Sequence, residues 1–365
     1  MILTVAEPRL GDEYPRRRDA GGLGEAMDTM TRAMPAFLPD GSVQVPAFTL
    51  PVSGLVSEEA AALQRLRAAM PVFDASGQED DIAVRRAQIN AYMAPQIERL
   101  RATFPVIVTR GEIGGVEVLD VTPVEGGHDP QRVLINLHGG AFCVGWDGVA
   151  LVEAIPIAAL GRIRVVSVNY RMAPEHRHPA GVEDVAAVYR ALLADYAPGR
   201  IGIYGGSAGG ALTAQAAAWL ASHDLPQAGA IGVFGAGAVP FGTGESAYVT
   251  GYIDASFPPP PADGSAPVDI TRGYFAGCDL RDPSAWPGWH PEILAAFPPA
   301  LIVTGTRAMD LSPAIFTHSQ LLKASIRSSL IVAEGMGHCY HYQVALPEGR
   351  DAIEAILRFF REALA

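Results

Sequence analysis

The chain has 365 residues and a formal net charge of −12, and 49% of its residues are hydrophobic while 18% are charged. This composition indicates a folded protein with a large core and excludes an intrinsically disordered chain. The acidic balance argues against nucleic acid and against an anionic membrane surface as partners. Three cysteines are too few for a disulfide framework, and the first segment lacks the apolar run of a signal peptide. We therefore expect a cytoplasmic protein.

The first hundred residues differ in pattern from the rest of the chain. Helical periodicity is confined to residues 57–69 and 83–100, and prolines and glycines interrupt it elsewhere. We predict that residues 1–100 form an N-terminal helical cap segment outside the main sheet. A second irregular stretch, residues 240–298, is too long for an ordinary connection. We expect it to contribute to the cap and to a substrate pocket.

From residue 101 onward, short β-rich runs alternate with helical patterns. Residues 106–124 are typical of an antiparallel hairpin, and the later Val/Ile runs suit strands that are buried on both faces of a parallel sheet. Alanine-rich helical stretches lie between them, as at 182–194 and 208–222. The alternation predicts an α/β fold over residues 101–365, with a mostly parallel, doubly wound sheet of about eight strands. The predicted parallel strands are 133–140, 164–171, 200–207, 230–238, 300–306 and 328–335.

A glycine-rich turn with a serine at its centre follows the third parallel strand. Gly205-Gly206-Ser207-Ala208-Gly209-Gly210 ends a strand and opens a helix, which is the context of a G-x-S-x-G nucleophile turn. Small residues two positions before and after the serine permit a turn sharp enough to lift the hydroxyl clear of the sheet. The helix N-terminus there stabilises negative charge. We predict that Ser207 is a nucleophile; the alternative is a glycine-rich turn whose serine has no function.

The first parallel strand ends in His138-Gly139-Gly140-Ala141-Phe142, which is similar to the HGGG-type loop of lipases and esterases. Glycines in such a loop allow backbone N–H groups to point at a developing oxyanion. We predict that this oxyanion hole uses the N–H groups of Gly139 or Gly140, of Ala141 and of Ala208. His138 has two open roles, catalytic base or a brace that hydrogen-bonds the loop, and we favour the brace.

These motifs, with Tyr170-Arg171-Met172-Ala173-Pro174-Glu175-His176 between them, resemble one family. They are similar to the hormone-sensitive-lipase-like branch of α/β hydrolases, the bacterial family IV carboxylesterases, from about residue 132 to the C-terminus. The resemblance implies an α/β-hydrolase fold with a helical cap, and a structural role for the YRxAPE stretch. This chain departs from the pattern at two positions. Gly206 stands where the family has an acidic residue, and Ala141 stands where it has the last glycine of HGGG.

A histidine and an aspartate late in the chain complete a predicted triad, in the order Ser, Asp, His of α/β hydrolases. The resemblance points to His338 as the base, and His341 is the alternative. Asp310 is the only acidic residue between the last two predicted strands. Many relatives carry the acid about two positions earlier, where this chain has Ala308. Either the loop reaches round differently or the triad lacks its acid, and a helix N-cap is the other role open to Asp310.

The resulting prediction is a serine carboxylesterase that hydrolyses small esters through an acyl-enzyme. The resemblance implies short to medium acyl chains and, as one oligomeric state to expect, a homodimer through the edge strand. The mechanism needs no metal or organic cofactor, and the sequence has no H-E-x-x-H, C-x-x-C or phosphate-binding motif. Cys143 and Cys339 flank the motifs, and we expect them to be buried free thiols. Aromatic residues that could line an apolar pocket, or could equally be ordinary core, are Phe142, Trp146, Tyr248, Tyr252, Phe257 and Trp286.

Two other classes of function are compatible with these motifs. The same triad could open lactones, hydrolyse amides or act as an acyltransferase that passes the acyl group to an alcohol. Alternatively, the chain could be a non-catalytic ligand-binding module on a hydrolase core, as in the plant gibberellin receptors, which resemble this family and lack the catalytic histidine. The presence of His338 argues against the binding module.

Overall fold

The computed structural model describes residues 34–67, 81–124, 127–254 and 268–364. Contacts between residues divide the chain into two units, Met1–Pro51 and Val52–Ala365. In the first unit, strand β1 (Ala36–Phe37) pairs antiparallel with strand β2 (Val43–Gln44). The second unit carries the main sheet and the candidate site.

The second unit is built on one sheet of eight strands. In chain order these are β3 (Val106–Ile113), β4 (Val116–Pro123), β5 (Val133–Leu137), β6 (Arg164–Val168), β7 (Ile201–Gly206), β8 (Ala230–Phe234), β9 (Ala300–Gly305) and β10 (Ser328–Ala333). Their order across the sheet is β10-β9-β8-β7-β5-β6-β4-β3. Strands β5 to β10 are parallel, and β4 runs antiparallel to both of its neighbours. The carboxyl ends of the six parallel strands therefore meet at one edge.

Helices cover both faces of the sheet. They are α1 (Glu58–Leu66), α2 (Ile82–Thr103), α3 (Val149–Gly161), α4 (Ala180–Leu192), α5 (Ala208–Ser222), α6 (Ser246–Val249), α7 (Gly251–Asp254), α8 (Pro291–Leu294), α9 (Leu311–Lys323) and α10 (Pro347–Ala363). Apolar residues of α3 and α10 pack in one core layer, and those of α4, α5 and α9 pack in the layer on the opposite face. None of the helices in the described ranges is long and apolar enough to cross a membrane.

The predicted fold class is confirmed. The hairpin and all six predicted parallel strands form, although most of the strands end a few residues earlier than predicted because the motif residues after them turn into loops. Helix α3 is absent from the sequence-based prediction, and its composition explains why. Its sequence is apolar all round apart from Glu153, so it lacks the stripe by which an amphipathic helix is identified.

Helices α1 and α2 belong to the second unit, Val52–Ala365, together with the main sheet. Their role as a cap, and a domain boundary near residue 100, stay predictions. Of the second stretch predicted to contribute to the cap, residues 255–267 lie outside the described residues. The remainder contains α6, whose Ser246 exchanges hydrogen bonds with Ser312 at the start of α9.

Helix α2 is held to the core by the guanidinium of Arg86. Its Nη atoms donate to both carboxylate oxygens of Glu175, at 2.7 and 2.8 Å, and one also donates to the carbonyl of Ala173 at 3.0 Å. Its Nε donates to the carbonyl of Cys143 at 2.9 Å. One side chain therefore joins α2 to the segments that follow β5 and β6.

Replacing Arg86 with Ala should lower the free energy of unfolding by about 2 kcal/mol, because hydrogen bonds to a charged group contribute roughly 1.5–3 kcal/mol. Urea unfolding would measure the change. Arg99→Ala, at an exposed position of the same helix, is the matched control. Equal effects of the two substitutions would contradict the assigned anchoring role.

Candidate active site

Ser207 stands at a strained turn between β7 and α5. Its backbone has φ 57° and ψ −123°, a conformation that costs a non-glycine residue roughly 1–3 kcal/mol. Its N–H donates to the carbonyl of Phe234 at 2.8 Å. A Cβ added to Gly205 or Gly209 would overlap the carbonyl oxygen of Leu137, so both positions require glycine. The turn thus has the structural features predicted for a nucleophile turn.

His338 and Asp310 form a buried pair in the loops after β10 and β9. His338 Nδ1 lies 2.6 Å from Asp310 Oδ1, and Thr304 donates from Oγ1 to Asp310 Oδ2 at 2.5 Å. The Asp310 side chain is fully buried and that of His338 is 9% exposed. Asp310 does stand at the N-cap position of α9, but its side chain makes no capping hydrogen bond. Both carboxylate oxygens of Asp310 are instead in contact with the imidazole and the threonine hydroxyl.

The loop after β9 reaches round to His338 from a position two residues beyond Ala308. The N–H of Arg307 donates to the carbonyl of Met336 at 2.9 Å, which ties this loop to the one that carries His338. Ala308 is fully buried. The carboxylate of Asp310 thus contacts the histidine although it stands two positions beyond Ala308.

The electrostatic surroundings of His338 favour its protonated form. Burial lowers the pKa of the imidazole, but Cys339 and the carboxylate of Asp310 raise it, and the result lies well above the ordinary value. Cys339 Sγ is 3.5 Å from Nε2, the nitrogen that is not turned toward Asp310. The rings of Phe241 and His338 meet edge to face with centroids 6.2 Å apart.

The histidine and the serine turn meet at the end of β8. Phe234 accepts the hydrogen bond from the N–H of Ser207, and the next residue, Gly235, lies beside His338. A Cβ on Gly235 would lie 3.2 Å from Cε1 of His338. The sheet therefore brings the ends of β7, β8, β9 and β10 to one place.

His341 is in a different environment. It is 4% exposed, and neither ring nitrogen has a hydrogen-bond partner within the described ranges. Burial and the nearby charge of His338 lower the pKa of His341 to about 3. An imidazole with so low a pKa is too weak a base to take a proton from a serine at neutral pH, so its surroundings favour His338 over His341 as a base.

The loop after β5 adopts a backbone suited to binding an anion. Gly140, Ala141 and Phe142 all have positive φ values, of 123°, 51° and 60°. In the part of the chain that the structure describes, the N–H groups of Gly140, Ala141 and Ala208 make no hydrogen bond. The N–H of Gly139, in contrast, donates to Glu153 Oε1 at 3.1 Å. This corrects the prediction for Gly139, whose N–H is already used within the protein.

His138 braces this loop, as favoured from the sequence. Its Nδ1 lies 2.8 Å from the carbonyl oxygen of Gly139, and its ring stacks on Tyr170 with centroids 4.4 Å apart. The Tyr170 hydroxyl donates to the carbonyl of His138 at 2.7 Å. Burial lowers the pKa of His138 to about 4, so the ring is neutral at ordinary pH.

A family model described as the alpha/beta hydrolase fold matches residues 134–342, which include the loop after β5, the serine turn and both members of the buried pair. The chain belongs to the α/β-hydrolase family. Among curated relatives, an acetyl-hydrolase of Streptomyces hygroscopicus is 31% identical over 234 residues, which are 64% of this chain and 76% of that protein. Esterase LipI of Mycobacterium tuberculosis is 34% identical over 190 residues, 47% of this chain and 53% of that one.

Solved structures place this α/β hydrolase in a branch of the family. The crystal structure of esterase E25 matches with a TM-score of 0.75 and 28% identity, covering 87% of this chain and 98% of that one. An esterase from the bacterial hormone-sensitive lipase family matches with a TM-score of 0.71 and 27% identity, over 84% and 98%. These relatives confirm the predicted branch, the hormone-sensitive-lipase-like hydrolases, and the predicted enzyme class, a carboxylesterase.

The aromatic residues predicted for the substrate pocket of this hydrolase fall into different environments. Phe142 and Trp286 are 1% and 5% exposed and pack against Tyr274 and Phe275, which favours the alternative of ordinary core. Trp146 is partly buried and packs beside His138. Tyr248 and Tyr252 are exposed on α6 and α7, and Phe257 lies outside the described residues. Phe241, which contacts His338, is absent from the sequence-based prediction because it belongs to no motif.

Cys143 and Cys339 are buried free thiols, as expected. Burial raises the pKa of Cys143 to about 11 and raises that of Cys339 as well, although the charge of His338 opposes the change at Cys339. The thiol of Cys143 is therefore neutral at ordinary pH.

The lowered pKa of His341 predicts an acid-sensitive contribution to stability. As pH falls below about 6.5, the unfolded chain binds a proton at His341 while the folded chain does not, so the free energy of unfolding decreases. Between pH 8 and pH 5.5 this loss should be about 1.4 kcal/mol smaller in His341→Phe than in the wild type. Urea unfolding at the two pH values measures it, and His176→Phe, at an exposed histidine, is the control for the substitution itself. An equal loss in His341→Phe and in the wild type would contradict the prediction.

Proposed function

We propose that this protein hydrolyses short- to medium-chain carboxylic esters, with Ser207 as the nucleophile, His338 as the base and Asp310 as the acid that orients it. The observation that carries the proposal is the 2.6 Å contact between Asp310 and His338 at the sheet edge where the strained Ser207 turn also ends. A serine hydrolase needs these three groups at one place, whereas a binding module needs no such pair. The contact therefore also argues against the non-catalytic alternative.

The proposed reaction begins with attack of Ser207 Oγ on the ester carbonyl, while His338 Nε2 takes the serine proton. The carbonyl oxygen becomes an oxyanion, and the N–H groups of Gly140, Ala141 and Ala208 are the donors proposed to bind it. His338 then gives the proton to the departing alcohol, which leaves an acyl group on Ser207. In the second half, His338 takes a proton from water, the hydroxide attacks the acyl carbonyl, and the carboxylic acid leaves.

Asp310 has two functions in this scheme. By accepting a hydrogen bond at Oδ1 it keeps the proton of the neutral imidazole on Nδ1, so that Nε2 carries the lone pair that accepts the serine proton. Its negative charge also stabilises the imidazolium that forms during attack. Thr304 holds Oδ2, so the carboxylate cannot rotate away from the ring.

The preference for small esters is supported from two directions. The acetyl-hydrolase relative from Streptomyces is named for a two-carbon acyl group. In this chain, the ring of Phe241 lies against His338. Helix α6 is bonded to the segment beside Asp310, because Ser246 Oγ donates to the carbonyl of Met309 at 2.6 Å. These apolar and tightly bonded neighbours are proposed to form part of a pocket wall, together with α2.

Ser207→Ala should lower kcat for p-nitrophenyl acetate by on the order of 10⁴–10⁶-fold, since it removes the only group in the scheme that forms the acyl-enzyme. Purified protein and a spectrophotometric assay are sufficient. Ser222→Ala, at the exposed end of the same helix α5, is the control and should keep full activity. Turnover by the Ser207→Ala protein close to that of the wild type would rule out the proposed nucleophile.

Asp310→Asn should lower kcat by about 10⁴-fold, because the amide stabilises the wrong tautomer of the imidazole and cannot compensate its charge. The pH profile should also change. In the wild type, kcat/KM should fall as pH decreases through a pKa above the ordinary value of about 6.5, because protonated His338 cannot accept the serine proton. In Asp310→Asn the remaining activity should persist to lower pH. An unchanged acid limb would contradict the pairing.

A further inference from the structure

Glu153 is a buried carboxylate at the centre of an otherwise apolar helix, α3. It is 3% exposed, and four donors surround it. Asn136 Nδ2 and the N–H of Gly206 donate to Oε2, at 2.8 and 3.2 Å. The N–H of Gly139 donates to Oε1 at 3.1 Å, and the hydroxyl of Tyr342 donates to the same oxygen. Burying a carboxylate is energetically costly without such partners, so these four donors are what allow Glu153 to be buried.

Three of these donors come from separate segments of the candidate active site. Gly139 begins the loop after β5 that contains Gly140 and Ala141. Gly206 directly precedes Ser207. Tyr342 lies four residues beyond His338, and its hydroxyl is one of the atoms that a Cβ on Gly206 would overlap. One carboxylate is therefore bonded to the start of the oxyanion loop, to the nucleophile turn and to the segment that follows the base.

The surrounding geometry permits little adjustment. A Cβ on Gly139 would lie 3.1 Å from both the carbonyl oxygen of Gly206 and the hydroxyl of Tyr342. Asn136 is itself fixed, because Ser167 Oγ donates to its Oδ1 at 2.6 Å. The two loops thus approach each other closely around the carboxylate, which is the group that both of them bind.

We propose that Glu153 is a positioning residue of the esterase reaction, whose carboxylate sets the separation between Ser207 and the oxyanion-binding N–H groups of Gly140 and Ala141. Glu153 contacts neither the substrate nor the reacting atoms in this scheme. It acts by holding residues 139 and 206, each of which lies one position before a group with a proposed catalytic role. The inference rests on the proposed esterase function.

Burial and the four donors act in opposite directions on the ionisation of the carboxylate. Burial raises the pKa of Glu153 to about 7, while the hydrogen bonds from Tyr342, Asn136, Gly139 and Gly206 lower it. The ionised form accepts at both oxygens and can bond all four groups as donors. A neutral side chain of the same shape has to leave at least one donor unsatisfied.

The test is Glu153→Gln, assayed with p-nitrophenyl acetate. Glutamine keeps the shape but offers one oxygen, and its amide N–H₂ faces two donors. We expect kcat to fall by about 10²-fold, as when one oxyanion donor is lost, while KM changes less than about threefold. Tyr342→Phe removes a single donor and leaves Glu153 in place, and kcat should fall about tenfold. Both values are taken per folded molecule, with the folded fraction measured by circular dichroism.

Asp120→Asn is the matched control. Asp120 is a partly buried carboxylate on β4 that binds the guanidinium of Arg164 through both oxygens, remote in sequence from every proposed site residue. It tests whether loss of any bonded carboxylate lowers activity through stability alone. We expect its stability to fall and its kcat per folded molecule to stay unchanged.

The outcomes separate the two proposals. If wild-type turnover depends on Ser207 and Glu153→Gln keeps kcat within about threefold, the positioning role is wrong and the esterase proposal stands. If the loss of kcat per folded molecule in Glu153→Gln equals that in Asp120→Asn, the positioning role of Glu153 is wrong as well. If Glu153→Gln does not fold, Tyr342→Phe decides by the same criterion. If the wild type has no turnover that depends on Ser207, both proposals fail together.

Discussion

The carbonyl oxygen of Leu137, the last residue of β5, lies against the backbone of the turn around Ser207. A Cβ on Gly205 or Gly209 would overlap it, so the first strand of the parallel set and the nucleophile turn can meet only where both sides lack a side chain. This contact fixes the distance between the loop that begins at His138 and the helix that begins at Ala208. Ser207 and residues 140–142, on either side of this contact, have positive φ values, with which the chain turns sharply away from it. The packed sheet beneath provides the stabilisation that offsets them.

The same crowding has electrostatic consequences. Groups at this edge are buried, and their ionisation depends on whether a partner of suitable charge is present. His138 and His341 lack an acid and remain neutral, whereas His338 has Asp310 and favours its charged form. Three histidines in similar degrees of burial therefore differ in basicity, and the difference follows from the groups beside each ring, which at His338 are Cys339 and Asp310.

Much of this arrangement could be predicted from the sequence, because it depends on short motifs and on strands with a clear pattern. The strand runs predicted the sheet, and the glycine spacing predicted the turn around Ser207. The path of the loop from β9 to Asp310 could not be predicted, since it depends on the hydrogen bond from Arg307 to Met336, two residues that carry no motif. The role of Gly139 was wrong for a related reason. Its N–H binds Glu153, which lies in a helix that has no amphipathic stripe.

A signal for Glu153 was nevertheless present. It is the only charged residue among the 13 residues of α3. A single charge in a helix that is apolar on every side must be buried, and a buried charge must have partners. Such a residue is as informative in a sequence as a catalytic motif, although the sequence alone does not say which groups it binds.

The space around Gly206 has a consequence for how this site could be altered. The family to which the motifs are similar has an acidic residue at this position, whereas here the hydroxyl of Tyr342 fills the space that a side chain would need. Restoring the family residue alone would bring a second carboxylate against Glu153 and displace the tyrosine. An acidic residue at position 206 therefore requires changes at positions 153 and 342 as well, and a redesign that follows the family's consensus has to treat the three positions together.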